Sequence, residues 1–255
     1  MAVRNPTVVL TGARGAIGSA TVEVLKKRGA AVITLNRPGL DLASLTSVRA
    51  AARELTRTVV HIDALLHMAA VFTTRYQKSP DGYESMFATN HLGPFLLTNL
   101  LRDKLIGGGR VITVTAPSTT RVDVDRQLDR ERFSPMYSFG ASKAANLMFT
   151  FELARRGHRW DVRANAFHPG IVKSELMNEA PSFVRRVTRW FAKPPQQAAL
   201  DLVDLALSPA YAGTTGWLFK GTRHIDAPKS ASDVEKPAEL WRRSAELVEL
   251  EGAGF

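Results

Sequence analysis

Phe139 and Lys143 lie four residues apart in the stretch Met-Tyr-Ser-Phe-Gly-Ala-Ser-Lys, Met136 to Lys143, at the head of a long helical run. Positions four apart share one helical face, so an aromatic ring and an ammonium are held side by side. With tyrosine at the first position the pair is an acid/base device, because a neighbouring cation lowers a phenol's pKa toward working pH. Phe139 has no proton to give. The nearest phenol is Tyr137, two residues earlier, and further hydroxyls, those of Thr115 and Ser118, follow an apolar run elsewhere in the chain. His67 and His168 each close another apolar run and could serve as bases facing a ligand or as satisfied core residues.

Something must hold these groups in place, and the chain alternates strand-like and helical stretches. Ser134 and Pro135 suit the cap and first position of the helix that carries Lys143, which extends to about Arg156. Residues 7–11, Thr-Val-Val-Leu-Thr, run into Gly12-Ala13-Arg14-Gly15-Ala16-Ile17-Gly18 and then a helix ending near Gly29. Strand, glycine turn and helix N-terminus together make a phosphate cradle. A second apolar run, Ala31 to Leu35, ends at Asn36-Arg37, where a dinucleotide site reads the ribose. An arginine there, with Arg14 near it, accommodates a 2′-phosphate and points to NADP(H).

Pro38-Gly39 turns directly into Leu40-Asp41-Leu42 and a helix over about 44–57, striped by Leu45, Val48, Ala52 and Leu55. The run Ile62 to Ala70 reads as a buried strand with His67 and Met68 at its end. A helical pattern over 82–105 is interrupted at Asn90-His91-Leu92-Gly93-Pro94, where the proline should bend the helix and free carbonyls near Asn90. Strands are expected at 110–115, 162–167 and 216–219. The alternation predicts an α/β fold, a doubly wound parallel sheet with helices on both faces and ligands at the strands' carboxyl ends. The glycine turn, Asp41-Leu42, His67 to Ala70, Thr115 and His168-Pro169-Gly170 all fall at such ends, which argues for one site.

At 255 residues with 45% hydrophobic content the chain suits one domain over 1–255. Zero cysteines exclude disulfides, thiolate nucleophiles and Cys-ligated metals, and no metal is expected. No run of 18 apolar residues occurs and the first ten residues carry no leader pattern, so a cytoplasmic protein without stable membrane insertion is expected. The net charge of +10 is scattered in ones and twos without a nucleic-acid-binding signature, so no nucleic-acid partner is expected. Residues 176–195 interleave Leu176, Phe183 and Trp190 with Arg185, Arg186 and Arg189, an amphipathic segment suited to a lid over an apolar small molecule. Membrane-surface contact and simple helix packing are the competing readings of that segment. Trp241, Leu247 and Leu250 near the end read as core or oligomer contact.

Taken together, the chain resembles the short-chain dehydrogenase/reductase family, in its retinol-dehydrogenase-like branch. The residues that carry the resemblance are Thr11-Gly12, Asn90-His91-Leu92-Gly93, Ala141-Ser142-Lys143-Ala144-Ala145-Asn146 and His168-Pro169-Gly170-Ile171-Val172, with Gly216-Trp217-Leu218-Phe219 and Leu240-Trp241 in the tail. The resemblance implies a Rossmann fold, a nicotinamide cofactor, and a homodimer or homotetramer built on paired long helices. It places Thr11, Gly12, Arg14, Gly15, Ile17, Gly18, Asn36, Arg37, Asp41, Leu42, Ala69, Ala70, Lys143, Pro169, Gly170, Ile171, Val172 and Ser174 around that cofactor. His67, Met68, Phe139, Leu176, Phe183 and Trp190 fall where substrate sits.

The departures lie at the chemistry. The middle glycine of the family's Thr-Gly-x-x-x-Gly-x-Gly turn is Ala16, which should weaken cofactor binding without abolishing it, and the usual Asn-Asn-Ala-Gly is His67-Met68-Ala69-Ala70. The stretch from the second strand to Asp41 is shorter than usual. Of the family's catalytic Asn, Ser, Tyr and Lys, Asn90 and Lys143 match, while the serine position falls on Ala116 and the tyrosine position on Phe139. Three functions fit that pattern. One is a non-redox step on an apolar metabolite, such as cyclisation, isomerisation or elimination. Another is NADPH-dependent carbonyl reduction with Tyr137 as acid and Thr115 or Ser118 as oxygen donor. The third is a catalytically inactive NADP(H) sensor or partner subunit.

Overall fold

A seven-stranded sheet of order β2-β1-β3-β4-β5-β6-β7 forms the centre of the molecule. The structure is a computed structural model, and it describes residues 5–170, 194–250 and 255. The strands are β1 (Thr7–Thr11), β2 (Ala31–Leu35), β3 (Ala64–His67), β4 (Arg110–Val114), β5 (Arg163–His168), β6 (Leu218–Lys220) and β7 (Arg223–Ile225). All neighbours pair in parallel except β6 with β7, a short antiparallel ribbon that closes one edge. The chain is thus a single α/β domain with the doubly wound sheet expected of the alternation.

Side chains on a strand alternate between faces, and here both faces are buried. Val9, Leu65, Val111 and Ala164 enter one core layer, under α2 (Leu45–Thr58), α4 (Gly93–Leu100) and α7 (Pro135–Gly157). Val8, Leu10, Leu66, Ile112 and Phe167 enter the other, under α1 (Ala16–Lys27) and α8 (Pro195–Leu207). Each fully buried leucine or phenylalanine in these layers contributes about 1.5–3 kcal/mol. The strand read over Ile62–Ala70 is shorter, β3 alone. Residues 68–70 leave the sheet and form the cavity wall.

Helical structure around Asn90 is irregular, as Pro94 implied. A short α3 (Ser85–Phe87) passes into one π-helical turn, Ala88–Leu92, before α4 begins with Pro94 in its first turn. Such a turn inserts an extra residue in the backbone ladder and re-aims the side chains within it. A four-residue α5 (Arg102–Leu105) and a five-residue α6 (Val124–Leu128) flank β4.

Two features were not legible beforehand. First, β2 is an edge strand, with Ala31 and Thr34 exposed. Five residues, Asn36 to Leu40, separate it from Asp41, and a parallel crossover needs a dozen or more. Those five residues hold no such crossover, and among the described residues no strand pairs with the outer side of β2. Second, after the short α9 (Lys229–Ser232), α10 (Glu235–Leu247) packs along α7 and reaches α4 through Trp241. Trp241 meets Phe95 edge-on at 4.9 Å and stacks on Phe149 at 5.8 Å. His91 Nε2 lies 2.8 Å from Ser244 Oγ, Tyr83 donates its hydroxyl to the Leu247 carbonyl and Arg49 donates to the Val248 carbonyl. Trp241 is thus a core residue, and this face of the long helices is filled by the chain itself. The segment read as a lid, with Leu176, Phe183 and Trp190, lies outside the described residues apart from its last two positions, as do Ile171, Val172 and Ser174.

Candidate active site

The glycine turn after β1 is built by close backbone approach. Gly12 has φ +73°, and a Cβ there would sit 2.6 Å from the Ala69 nitrogen. A Cβ on Gly18 would sit 2.1 Å from the Gly12 carbonyl oxygen. These two positions admit no side chain. Ala16, by contrast, is the first residue of α1, and its methyl is accommodated at the cavity wall. Helix α1 has no acidic residue in its first turn and its cap, Gly15, makes no side-chain hydrogen bond. Its backbone N–H groups and dipole are free to meet an anion. Thr11 acts differently from its expected role of touching the cofactor. It is fully buried, and its Oγ1 accepts from the Met68 and Ala69 nitrogens at 3.2 and 3.3 Å, tying the end of β1 to the segment after β3.

A cavity of about 1350 Å³ runs from this turn along the strands' carboxyl ends. At one end Arg14, Asn36 and Arg37 line it, with both guanidiniums exposed. Leu40 and Leu42 are buried and anchor the short loop after β2, while Asp41, held between them, accepts from the Ala43 nitrogen at 3.0 Å. Gly12, Gly15, Ile17, Gly18, Asp41, Leu42, Ala69, Ala70, Pro169 and Gly170 all line the same cavity. A cradle that a Cβ would fill, an uncapped helix N-terminus and two arginines at the ribose end fit a phosphorylated dinucleotide.

At the other end lie Met68, Thr115, Ala116, Phe139, Lys143 and His168. Lys143 is 7% exposed, its Nζ stands 5.3 Å from the centre of the Phe139 ring, and burial pulls its pKa down to about 8. The Phe139 ring meets Phe72 edge-on at 5.4 Å. Asn90 is locked: its Oδ1 accepts from the Val71 nitrogen at 2.8 Å, and its Nδ2 donates to the Val71 carbonyl and to Ser142 Oγ at 3.0 and 3.1 Å. Burial also lowers the pKa of His168.

The expected substitutes for the missing hydroxyls are engaged elsewhere. Tyr137 donates its hydroxyl to the Arg121 carbonyl at 3.0 Å, and the Arg126 guanidinium stacks on its ring at 3.8 Å. Its pKa is raised, chiefly by burial, which is the wrong direction for an acid near neutral pH. Ser118 donates to the Gly140 carbonyl at 2.7 Å and lies off the cavity wall. Thr115 is on the wall, but its Oγ1 donates to the Lys143 carbonyl at 2.9 Å. His67 is not at the pocket either. It is 2% exposed inside β3, with Nε2 2.7 Å from Thr98 Oγ1. Alternation along β3 turns its side chain into the core while Met68, one residue on, reaches the cavity. Residues that sequence reasoning missed are Thr73, Gln77, Lys78, Ser79 and Thr89, which also line the cavity. Most of them come from an irregular loop with no periodicity to read.

The model of the family described as short chain dehydrogenase matches residues 38–184. Retinol dehydrogenase 14 of Homo sapiens is 32% identical over an alignment of 294 positions, covering 97% of this chain and 88% of that protein. An alignment longer than this 255-residue chain means that the relative carries segments absent here. Among solved structures, a putative uncharacterized protein from Mycobacterium Paratuberculosis superimposes with TM-score 0.74 at 30% identity, covering 96% of this chain and 93% of that one. The 3-alpha-hydroxysteroid dehydrogenase from Pseudomonas sp. B-0831, complexed with NADH, gives TM-score 0.71 at 20% identity over 89% and 97%. The last likeness bears on fold alone.

Proposed function

Because the chain belongs to the short-chain dehydrogenase family, we propose that it binds NADP(H) in this cavity and uses the frame for a non-redox step on an apolar small molecule, a cyclisation, isomerisation or elimination. The observation that carries the reading is the wall beside Lys143. Ala116 and Phe139 stand there, and the hydroxyls of Tyr137, Ser118 and Thr115 are all committed to backbone carbonyls. A bound nicotinamide dinucleotide would supply hydride exchange, and among the described residues no hydroxyl free of a backbone carbonyl stands at the Ala116 and Phe139 positions to hold the substrate oxygen and pass the accompanying proton. A positioned general acid is worth typically ~10²- to 10⁴-fold and an aimed hydrogen-bond donor about 10²- to 10³-fold, so little carbonyl reduction survives their loss.

The glycine turn and the α1 N-terminus would hold the pyrophosphate, Arg37 and Arg14 the 2′-phosphate, and Lys143 the ribose. Met68, Val71, Phe139 and Val114 give the reacting end an apolar lining. The Ala16 methyl makes binding weaker than a glycine would. We place the protein in the cytoplasm. Among the described residues no helix is long and apolar enough to cross a membrane. A homodimer or homotetramer remains the proposed assembly, with contacts elsewhere than the α4–α7 face that α10 covers.

Calorimetric titration with NADPH, NADP⁺ and NADH tests the cofactor half of the reading. Measurable NADPH affinity exceeding that for NADH supports it, and absence of heat at millimolar ligand removes it. Consumption of NADPH in stoichiometry with product would overturn the non-redox half.

A further inference from the structure

We propose that the Lys143 amine is itself a nucleophile, forming an imine with an apolar aldehyde or ketone that enters the cavity beside Phe139. The inference rests on the non-redox reading for its biological use and concerns the cavity without dinucleotide, since a ribose on Lys143 and an imine at the same amine exclude one another.

Geometry comes first. Lys143 lines the cavity, and among the described residues neither a carboxylate nor a hydrogen-bond acceptor is paired with its Nζ. Its stem is buried on α7, and its own carbonyl is pinned to β4 by Thr115 Oγ1 at 2.9 Å, so the amine projects from a fixed turn. The group nearest to it in kind is the Phe139 ring, 5.3 Å away, which offers no proton and no lone pair. A phenol at that position would engage the amine, and the phenyl ring leaves it free. The adjoining walls, Met68, Val71, Val114 and Ala116, select an uncharged, apolar carbonyl compound.

Electrostatics agrees. With no anion to stabilise the ammonium, burial brings the amine to about 8, so about a quarter is neutral at pH 7.5 against roughly one in a thousand for an ordinary lysine. Desolvated lysines of this kind are the ones that act as Schiff-base nucleophiles.

The step balances without an oxidant or reductant. The Nζ lone pair attacks the carbonyl carbon, a C–N bond forms and the C=O π pair moves to oxygen. One N–H proton passes to that oxygen through solvent, giving a neutral carbinolamine. The C–O bond then breaks with uptake of one proton from solvent, releasing water and leaving a protonated imine. That cation withdraws electrons from the adjacent carbon, which is what an isomerisation or elimination requires when no hydride moves.

The test uses the full chain with nonanal and sodium cyanoborohydride, followed by digestion and mass spectrometry. Saturable alkylation at Lys143 is expected, with a rate that is half-maximal near pH 8 and falls tenfold per unit below about pH 7. Surface lysines supply the internal reference, since their labelling does not saturate and keeps rising toward pH 10. NADPH should slow labelling of Lys143 alone, and excess 2-undecanone, competing for the same amine, should slow nonanal labelling there. K143R should lose that label, and the wild-type pH profile stands as evidence whether or not the variant folds. Labelling of Lys143 no faster than that of surface lysines, or with their pH profile, overturns the proposal. NADPH binding by calorimetry together with an unlabelled Lys143 overturns the imine and leaves the cofactor reading standing. Labelling together with stoichiometric NADPH consumption on the same carbonyl supports the imine and overturns the non-redox reading.

Discussion

Lys143 and Phe139 divide two roles that one tyrosine–lysine pair ordinarily combines. The cation is kept in a buried turn, and the proton donor is replaced by a ring packed on Phe72. Restoring the missing groups is therefore a local change. The double variant Ala116→Ser with Phe139→Tyr should raise NADPH-dependent reduction of a simple ketone by at least ~10²-fold, measured as loss of NADPH absorbance. Tyr137→Phe should leave any such rate within about twofold, because that hydroxyl faces the Arg121 carbonyl. At the other end of the cavity Arg37 is exposed and unshielded. Its replacement by alanine should weaken NADPH binding by about tenfold or more, the worth of a charge-assisted hydrogen bond, and leave NADH binding nearly unchanged in the same titration.

At the level of elements, the glycine turn and the C-terminal helix carry the clearest consequences. Gly18→Ala puts a methyl 2.1 Å from the Gly12 carbonyl oxygen, a contact that only backbone movement relieves. NADPH binding should be lost in calorimetry, whereas Gly15→Ala, whose new methyl meets nothing nearer than 3.5 Å, should retain it. Trp241→Ala removes a ring wedged between Phe95 and Phe149 and should cost about 3–5 kcal/mol in urea denaturation. The turn was legible because glycine at those spacings has a backbone reason. The strands were legible as apolar β-branched runs, and the break at Asn90 as a proline effect. The clamp of α10 was not, because Trp241 at helical spacing says only that some face is covered and not which one. Likewise the three-residue β7 gives no periodicity to read. Tyr137 and Ser118 were placed near the vacated positions by sequence distance, which does not say where a hydroxyl points.

For the molecule as a whole, a parallel sheet with helices on both faces followed from the alternation, whereas the strand order and the open edge at β2 did not, because alternation does not say which strands are neighbours. Burial on both faces of the sheet also fixes how the fold responds to acid. His67 in β3 and His91 in the π-turn are both neutral and buried, and desolvation holds their pKa values down at about 3 and about 4. In the unfolded chain each returns to about 6.5. The unfolded state then binds more protons than the native one below that value, so the stability these residues permit is intact above pH 6.5 and is lost as pH falls toward the folded values. Each costs about 1.4 kcal/mol per pH unit in that window, roughly 4 kcal/mol for the two between pH 7.5 and 5. Urea denaturation at the two pH values measures the difference directly. His67→Asn should remove about half of it, whatever its effect on absolute stability, because asparagine does not titrate. An unchanged pH slope in that variant would place the acid sensitivity outside the sheet and count against a neutral, desolvated His67.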